Sequence, residues 1–327
     1  MAILVTGGAG YIGSVTVESL RRAGESVVVL DNLVNGHRAA VPDAVPFHVG
    51  NVGDGDLVRR MVTDHGIDAC IHFAAFCDVV ESVAKPKEYY TNNLREGVGL
   101  TSALLDAGVN CIVFSSSCAI YGHPQQCPLG EDHPQLPVSP YGWTKFLMER
   151  MLEDFQRAYG LNYVALRYFN AAGATAMMGE DHRPETHLIP NVIAAAMGRS
   201  PAISVFGDDY PTSDGTAVRD YVHVADLGDA HVRAMRYLRE GGASTKLNLG
   251  TGKSHSVMDV IETTRRLTGE TVPVDMQARR VGDTAELVAD PAKARTVLGW
   301  EPANVELSGI IQTAWDWYCR HPDGYGE

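Results

Sequence analysis

A glycine-rich segment directly after the first apolar run constrains the fold more than any other feature of the chain. Residues 7–13 read GGAGYIG, with Gly7, Gly10 and Gly13 three residues apart, and a stretch of helical spacing follows. Glycine permits a tight turn and lets backbone N–H groups approach a phosphate, while the helix presents the positive end of its dipole. This arrangement predicts the first βαβ unit of a dinucleotide-binding fold.

An acidic residue closes the second apolar run. Asp31 follows the run 27–30 and lies 18 residues beyond Gly13. A carboxylate at this spacing hydrogen-bonds the ribose hydroxyls of adenosine and repels a 2′-phosphate, so the pattern favours NAD over NADP. The alternative is a structural glycine turn that binds no ligand.

Short apolar runs alternate with helical segments up to about residue 170. The runs are 3–6, 27–30, 47–49, 70–73, 111–115 and 163–166, and the helical segments include 12–23, 57–65, 90–107 and 141–159. Continuous apolar strands between helices predict an α/β fold with a doubly wound parallel sheet covered on both faces. We expect a Rossmann NAD-binding domain over 1–170, a segment near 220–250 that returns to it, and a smaller C-terminal α+β substrate domain over 171–327.

Charge and composition exclude several classes of protein. The chain has 27 Lys and Arg against 40 Asp and Glu, a net charge of −13, which disfavours nucleic acid and anionic membranes as partners. It contains no apolar run of the ~18 residues that span a bilayer, and its N-terminus lacks the basic region of a signal peptide. Six cysteines without a CxxC pair favour a reduced, cytoplasmic setting.

A tyrosine and a lysine share one face of a predicted helix. Residues 139–145 read SPYGWTK, so Tyr141 lies four residues before Lys145, and Pro140 suits a first helical turn. An ammonium close to a phenol lowers the phenol pKa from ~10 and makes tyrosine a usable acid or base near neutral pH. The alternative is an exposed helical pair.

A run of serines ends the predicted strand before that helix. Ser117 is the last residue of VFSSS and stands 24 residues before Tyr141. Because ligands bind at the carboxyl ends of strands in a doubly wound sheet, we expect its hydroxyl to meet the same substrate hydroxyl as Tyr141. The alternative is a turn or a helix N-cap.

Together these segments resemble the extended short-chain dehydrogenases/reductases and, among them, the UDP-glucose 4-epimerase family, also called UDP-galactose 4-epimerases. The resemblance runs nearly end to end. Its most specific segments are LDNLVNGHR (30–38), FSSSCAIYG (114–122), SPYGWTK (139–145), LRYFNAAGA (166–174), FGDDYPTSDGTAVRDYVHVADL (206–227) and HPDGYGE (321–327).

The resemblance implies an isomerase of galactose metabolism that reversibly epimerises UDP-glucose and UDP-galactose at C4. The reaction passes through a 4-keto intermediate with transient hydride transfer to a tightly bound NAD, which is regenerated in each cycle. In the family pattern Tyr141 exchanges the proton of the sugar 4-hydroxyl, Lys145 holds the nicotinamide ribose and tunes Tyr141, and Ser117 hydrogen-bonds the reacting oxygen. The family also implies a homodimer that uses long helices of the first domain.

The same resemblance assigns the other site residues. Those expected at the cofactor, besides Tyr141 and Lys145, are Gly7, Gly10, Tyr11, Ile12, Gly13, Asp31, Asn32, Asn35, Gly36, Asn51, Val52, Phe73, Ala74, Ala75, Asn92, Ser115 and Tyr168. Those expected at the UDP-hexose, besides Ser117 and Tyr141, are Phe169, Asn170, His187, Leu188, Phe206, Arg219, Arg280, Asp283 and Leu287. Phe206 is expected to flank the uracil, Arg219 and Arg280 to clamp the diphosphate, and Asp283 to contact the ribose.

Four positions depart from common forms of the family pattern. Cys77, in HFAAFCDVVES, stands where many members have a lysine that contacts the cofactor. Asn51 replaces an aspartate; its amide can donate to adenine N1 but lacks a carboxylate to accept the adenine amino group. His187, in THLIP, stands where some members have asparagine, and it either binds the sugar or phosphate or is a structural surface residue.

The fourth departure is Leu287, which some members replace by tyrosine. Leucine is smaller, so we hypothesise some activity on UDP-N-acetylglucosamine or its galacto epimer. The alternative is that Leu287 packs a wall and the preference stays with unsubstituted hexoses.

Rival functions lack the residues they need. A 4,6-dehydratase needs an Asp-Glu pair after the strand-end serine, and nucleotide-sugar decarboxylases tend to carry a glutamate there, whereas this chain has Cys118 and Ala119. A UDP-glucuronate 4-epimerase needs extra polar or cationic contacts that the sequence does not place. A non-enzymatic NAD-sensing regulator would have lost the catalytic tyrosine. No metal is expected, because the spacing of His123, His133, His182 and His187 matches no common metal motif.

Overall fold

The computed structural model describes residues 1–280 and 282–326. Strands and helices alternate in the first half of the chain. They are β1 Ala2–Thr6, α1 Tyr11–Arg22, β2 Val27–Asp31, β3 Phe47–Val49, α2 Gly55–His65, β4 Ile67–His72, α3 Val79–Ala84, α4 Pro86–Tyr89, α5 Glu96–Asp106, β5 Cys111–Ser117, α6 Pro140–Tyr159 and β6 Asn162–Tyr168.

The second half contains shorter strands. Its elements are β7 Asn170–Ala172, α7 Leu188–Ala196, β8 Ile203–Phe206, β9 Val218–Arg219, β10 Tyr221–His223, α8 Val224–Arg239, β11 Thr245–Leu249, β12 His255–Ser256, α9 Val257–Thr268, β13 Val274–Gln277, β14 Glu286–Leu287, α10 Ala292–Leu298 and α11 Leu307–Arg320. In the part of the chain that the structure describes, no helix combines the length and apolar character needed to cross a bilayer.

Seven parallel strands form the central sheet in the order β11-β6-β5-β4-β1-β2-β3. The chain proceeds outward from β1 to β3 and then returns to β4 on the other side of β1. The strand order therefore reverses between β1 and β4, and ligands of doubly wound sheets bind at the carboxyl ends beside such a point. The α/β prediction with a doubly wound parallel sheet is confirmed.

Each face of the sheet has its own apolar core. In β1, Ile3 and Val5 belong to one core with α8, whereas Ala2 and Leu4 belong to the other with α2 and α5. Successive strand residues point to opposite faces, so a strand buried on both faces must be apolar throughout. This explains the continuous apolar runs of the sequence.

The predicted elements differ from the observed ones in identifiable places. The strand predicted at 70–73 is observed as β4, Ile67–His72. Its first residues were missed because Asp68 interrupts the apolar run; the carboxylate of Asp68 accepts a hydrogen bond from Arg239 (2.7 Å). The helix predicted over 90–107 is divided into a π-helical turn, Tyr90–Arg95, followed by α5. Three small sheets, β10-β7, β12-β9-β14 and β13-β8, occupy the second half of the chain.

A buried ionic network lies beneath the ends of β5 and β6. Arg167 on β6 donates two hydrogen bonds to Glu149 on α6, at 2.9 and 2.7 Å, and a third to the hydroxyl of Tyr121 at 2.8 Å. Ser116 donates to the same carboxylate at 2.5 Å, and Tyr121 donates to Asn248 at 2.7 Å. The network joins α6 to the sheet and fixes the strand end that carries Ser117.

Removal of one partner of this network should destabilise the fold strongly. Glu149→Ala leaves the guanidinium of Arg167 buried without a counter-charge, which costs about 3–5 kcal/mol. Asp154→Ala on the same helix removes only exposed ion pairs with Arg150 and Arg157 and should cost less than about 1 kcal/mol. Urea unfolding of the two variants compares these costs, and equal midpoints would contradict this account.

Candidate active site

The glycine loop brings the ends of β1 and β4 into direct contact. Gly7 has φ +70°, and a Cβ atom there would lie 2.6 Å from the backbone nitrogen of Ala74. A Cβ at Gly13 would overlap the carbonyl oxygen of Gly7. Gly10 precedes the first turn of α1, whose N-terminal N–H groups face the loop. The structure therefore requires glycine at Gly7 and Gly13 and leaves a helix N-terminus open to a phosphate.

Asp31 lies at the carboxyl end of β2 beside this loop. Its carboxylate accepts hydrogen bonds from the backbone nitrogens of Ala9 (3.0 Å) and Leu33 (2.9 Å). Burial raises the pKa of Asp31, although these backbone donors oppose the shift. Gly36 packs against Ala9 and Asp31, where a side chain would clash. A carboxylate held this close to a phosphate-binding turn fits the adenosine ribose of NAD.

The neighbouring loops complete this half of the cleft. The Asn32 amide donates to Asn51 Oδ1 at 3.0 Å, and Val52 packs into the core below. On the other side, Phe73, Ala74 and Ala75 follow β4, and the Phe73 ring lies 4.6 Å from that of His231. The structure thus places predicted cofactor residues from the ends of β1, β2 and β4 along the carboxyl edge of the sheet. Tyr11, the first residue of α1, also donates its hydroxyl to Gly173 O (2.6 Å) and so anchors the second half of the chain.

Ser117, Tyr141 and Lys145 lie together at the ends of β5 and α6. Ser139 caps α6 by accepting from Gly142 N at 3.2 Å, and Pro140 occupies its first turn. The helix therefore begins where it presents Tyr141 and Lys145 toward β5. Lys145 donates to the Ser115 carbonyl at 2.7 Å, and its Nζ lies 5.8 Å from the centre of the Tyr141 ring. All three side chains are buried, which excludes water from the reacting groups.

The electrostatics of the pair differ from the sequence-based expectation. Burial raises the pKa of Tyr141, and only a hydrogen bond with Ser117 acts in the opposite direction. The prediction that Lys145 lowers the pKa of Tyr141 in the protein alone is wrong, because the ammonium lies over the ring face and bonds to Ser115. Burial lowers the pKa of Lys145 itself to about 8.

A buried pair supports the end of β6. The hydroxyl of Tyr168 lies 2.5 Å from Nε2 of His231, whose Nδ1 lies 2.7 Å from the carbonyl of Leu227. Burial lowers the pKa of His231 to about 4, so this imidazole stays neutral. Sequence reasoning assigned Tyr168 but missed His231, which lies within an ordinary amphipathic helix and carries no motif.

The predicted nucleotide-sugar residues line the other wall of the cleft. The guanidinium of Arg280 lies 3.7 Å from the centre of the Phe206 ring. Arg219 is ion-paired with Asp283 and also donates to the carbonyls of Val218 (2.8 Å) and Thr284 (2.9 Å). Two arginines and an aromatic face are brought together here, a combination that suits a base followed by a diphosphate.

Other predicted residues are positioned by the short strands. Asn170 on β7 donates to Asp220 O through its side chain at 3.0 Å. Asp220 is fully buried and accepts from Thr251, Gly252 and Ala289, so it ties β9, β11 and β14 together. Phe169 and Leu287 pack in one apolar cluster. Sequence reasoning missed Asp220, although it stands inside the quoted segment 206–227.

The loop after β4 contains Cys77, one of the four departures from the family pattern. The Cys77 side chain is partly open to solvent, but the protein around it removes much of its hydration, and this desolvation raises the pKa of the thiol to about 11. The nearby positive charge of Lys145 acts in the opposite direction. Asn93, in the π-helical turn, bonds both backbone groups of Phe76 at 2.8 and 2.9 Å and so fixes this loop. Its neighbour Asn92, a predicted cofactor residue, donates to Asn93 at 3.0 Å.

Comparison with known proteins agrees with this geometry. The NAD dependent epimerase/dehydratase family matches residues 3–250. The UDP-glucose 4-epimerase of Halalkalibacterium halodurans is 50% identical over 327 residues, which cover 99% of this chain and 98% of that protein. The crystal structure of UDP-glucose 4-epimerase from Brucella ovis in complex with NAD is 47% identical, with a TM-score of 0.94 over 96% of this chain and 97% of that one. That of the Bifidobacterium longum enzyme with NAD⁺ and UDP is 36% identical, with a TM-score of 0.93 over 99% and 100%.

The glycine loop makes a direct prediction about cofactor affinity. Gly7→Ala should weaken NAD binding at least ~10-fold, because backbone strain of about 1–3 kcal/mol and the Ala74 clash distort the phosphate turn. Gly24→Ala is the matched control: Gly24 has φ +83° but open space around a Cβ, and it lies beyond the far end of α1. Both variants should lose stability through the positive φ, Gly7→Ala more than Gly24→Ala because of its clash, and only Gly7→Ala should lose NAD in an equilibrium binding assay. Unchanged NAD affinity in Gly7→Ala would refute the assignment of the loop.

Proposed function

The chain belongs to the NAD dependent epimerase/dehydratase family, and on that premise we propose that it is an isomerase that interconverts UDP-glucose and UDP-galactose at C4. The observation that carries the proposal is the position of Ser117, Tyr141 and Lys145. They meet at the carboxyl edge of the sheet, where Lys145 bonds the Ser115 carbonyl and lies beside the Tyr141 ring. Relatives with the same end-to-end match are UDP-glucose 4-epimerases.

Tyr141 exchanges the proton of the sugar 4-hydroxyl. NAD, when bound, supplies reversible two-electron oxidation at C4 and, in its oxidised form, a positively charged ring. The hydrogen bond between Ser117 and Tyr141 favours the phenolate and places a second hydroxyl at the reacting oxygen. Lys145, fixed by the Ser115 carbonyl, holds its charge beside the phenol and orients the ribose of the cofactor. Because these groups are buried, bulk water does not compete for the proton.

The second half of the chain holds the UDP group. We assign Phe206 to the uracil, Arg219 and Arg280 to the diphosphate, and Asp283 to the ribose. The guanidinium of Arg219 is held at a fixed place by the carbonyls of Val218 and Thr284, which preorganises it for a bidentate anion contact. Residues 1–170, with the segment near 220–250, form the NAD-binding domain in this proposal, and 171–327 form the nucleotide-sugar domain.

The alternative of a broader or shifted sugar preference is not favoured. Leu287 packs against the apolar cluster of Ile120, Leu129 and Phe169, which agrees with a wall residue rather than a specificity residue for an acetamido group. The strand-end serine is followed by Cys118 and Ala119, so the carboxylates of a dehydratase are absent from this position. We further propose that the protein works as a cytoplasmic homodimer.

Tyr141→Phe should abolish epimerisation and keep the cofactor. Loss of the proton-exchanging hydroxyl should lower the turnover of UDP-galactose about 10²–10⁴-fold. Proton NMR of the sugar H4 and anomeric signals, with no NAD added, follows the conversion, and cofactor retention is measured on the same preparations. Tyr159→Phe removes an exposed hydroxyl from the same helix and is the control. Full turnover by Tyr141→Phe would contradict the assigned role.

The pH profile should report on Lys145. Its pKa is lowered to about 8 by burial, so the ammonium is present below that pH and is lost above it. Turnover should therefore fall as pH rises through about 8. Lys145→Arg keeps a charge at alkaline pH, so its activity, although lower, should not decline over that range. The same alkaline decline in both proteins would show that another group is titrating.

A further inference from the structure

Two histidines and two glutamates converge in the segment between β7 and α7. We call Glu180, His182, Glu185 and His187 the His–Glu cluster. One ligand atom from each side chain lies within 4.8 Å of all the others. Glu180 is almost fully buried and stands at the centre of the group.

The spacings match those around a tetrahedral ion. Oε1 of Glu180 lies 2.5 Å from Nδ1 of His187 and 3.2 Å from Nδ1 of His182. The carboxylate of Glu185 lies 3.5 Å from Nδ1 of His187 and 3.9 Å from Nδ1 of His182. Ligands at ~2.0–2.1 Å from a tetrahedral zinc ion stand about 3.3 Å apart. These four spacings bracket that value, so small movements would complete the coordination.

Two buried atoms of the cluster have no hydrogen-bond partner. They are Nδ1 of His182 and Oε2 of Glu185. A buried polar atom left without a partner costs free energy, and native structures usually satisfy it with protein, water or an ion. Both atoms belong to the same set of converging ligands. Nδ1 of His182 also lies 3.2 Å from the Glu180 carboxylate, so Oε2 of Glu185 is the atom that an additional group would satisfy.

The surrounding protein fixes three of the ligands. The other oxygen of Glu185 accepts from the backbone nitrogens of Thr186 (2.7 Å) and His187 (2.8 Å). Tyr318 donates to the carbonyl of Glu180 at 2.8 Å, and the ring of Tyr11 contacts that of His182 edge-on at 6.5 Å. Outer contacts of this kind orient metal ligands in proteins.

We propose that the His–Glu cluster binds one divalent transition-metal ion and that zinc fits it best. Imidazole nitrogens and carboxylate oxygens in a four-ligand set are the donors that Zn²⁺ accepts, and two carboxylates neutralise its charge. The ion connects the 180–185 segment to the first turn of α7. It binds His187 through Nδ1 and leaves the other ring nitrogen of this half-exposed residue directed away from the metal.

The proposed site is structural and takes no part in hydride or proton transfer, although His187 is also among the residues expected at the UDP-hexose. It departs from the expectation of no metal, which considered the spacing of histidine and cysteine alone and did not include the glutamates. The competing explanation is a metal-free network in which two protonated imidazoles balance two carboxylates. Burial opposes protonation of His187, but the two glutamates raise its pKa to about 9, which that network requires.

Metal titration separates these explanations. Protein stripped with a chelator is titrated with Zn²⁺ against a chromophoric competitor, and with Co²⁺ for its absorption spectrum. We expect one equivalent of Zn²⁺, a tetrahedral Co²⁺ spectrum without thiolate charge transfer, and a melting temperature that rises with Zn²⁺. His182→Gln and Glu185→Gln should each weaken Zn²⁺ binding by ~100-fold or more, the upper range for disrupted metal-site contacts.

His123→Gln removes an exposed histidine outside the cluster and should bind Zn²⁺ as the parent does. Circular dichroism and NAD retention establish that each variant is folded. If His182→Gln does not fold, Glu185→Gln alone tests the metal site. Absence of stoichiometric binding, binding that neither cluster variant weakens, or a cobalt–thiolate spectrum would overturn the proposal. None of these readouts uses turnover, so failure of the epimerase assignment would leave the test intact.

Discussion

The approach of two backbones at the switch point of the sheet is the constraint on which the rest of the site depends. Gly7 lies against the backbone of Ala74, so the ends of β1 and β4 are separated by little more than van der Waals contact. This contact directs the N-terminus of α1 into the cleft and places Asp31 on one side and the β5 serines on the other. A side chain at Gly7 or Gly13 would separate these elements, and the helix N-terminus would no longer face the position of a pyrophosphate.

A second constraint acts below the reacting groups. Glu149 on α6 and Arg167 on β6 are both fully buried, and they satisfy each other with Ser116 and Tyr121. Because α6 also carries Tyr141 and Lys145, this network fixes the position of the phenol and the ammonium relative to the end of β5. Burial then raises the pKa of Tyr141 and lowers that of Lys145 to about 8, so at neutral pH the protein alone holds a neutral phenol beside an ammonium. The geometry is preorganised, and the charge state responds to what binds beside it.

The sequence predicted the sheet well, and it predicted which residues meet at the carboxyl end of β5, because those signals are local. Gly7 to Gly13, Asp31 and the Tyr141–Lys145 spacing each report a short segment whose position in a doubly wound sheet is fixed by topology. The π-helical turn at 90–95 was missed, since its backbone is set by the contacts of Asn93 with Phe76 and not by apolar spacing. His231 and Asp220 were missed because their partners are distant in sequence. The raised pKa of Tyr141 could not be inferred from a motif, because burial is a property of the folded chain.

The most direct test of the central claim follows the hydrogen on C4. In the proposed mechanism, C4 is oxidised and reduced within one bound sugar while Tyr141 exchanges only the proton of the hydroxyl. UDP-galactose carrying deuterium at C4 should therefore yield UDP-glucose that keeps the deuterium at C4 in ordinary water, as read by proton NMR and mass spectrometry. Loss of the deuterium to solvent during conversion would show that a protein base removes the C4 hydrogen as a proton, and it would contradict the mechanism.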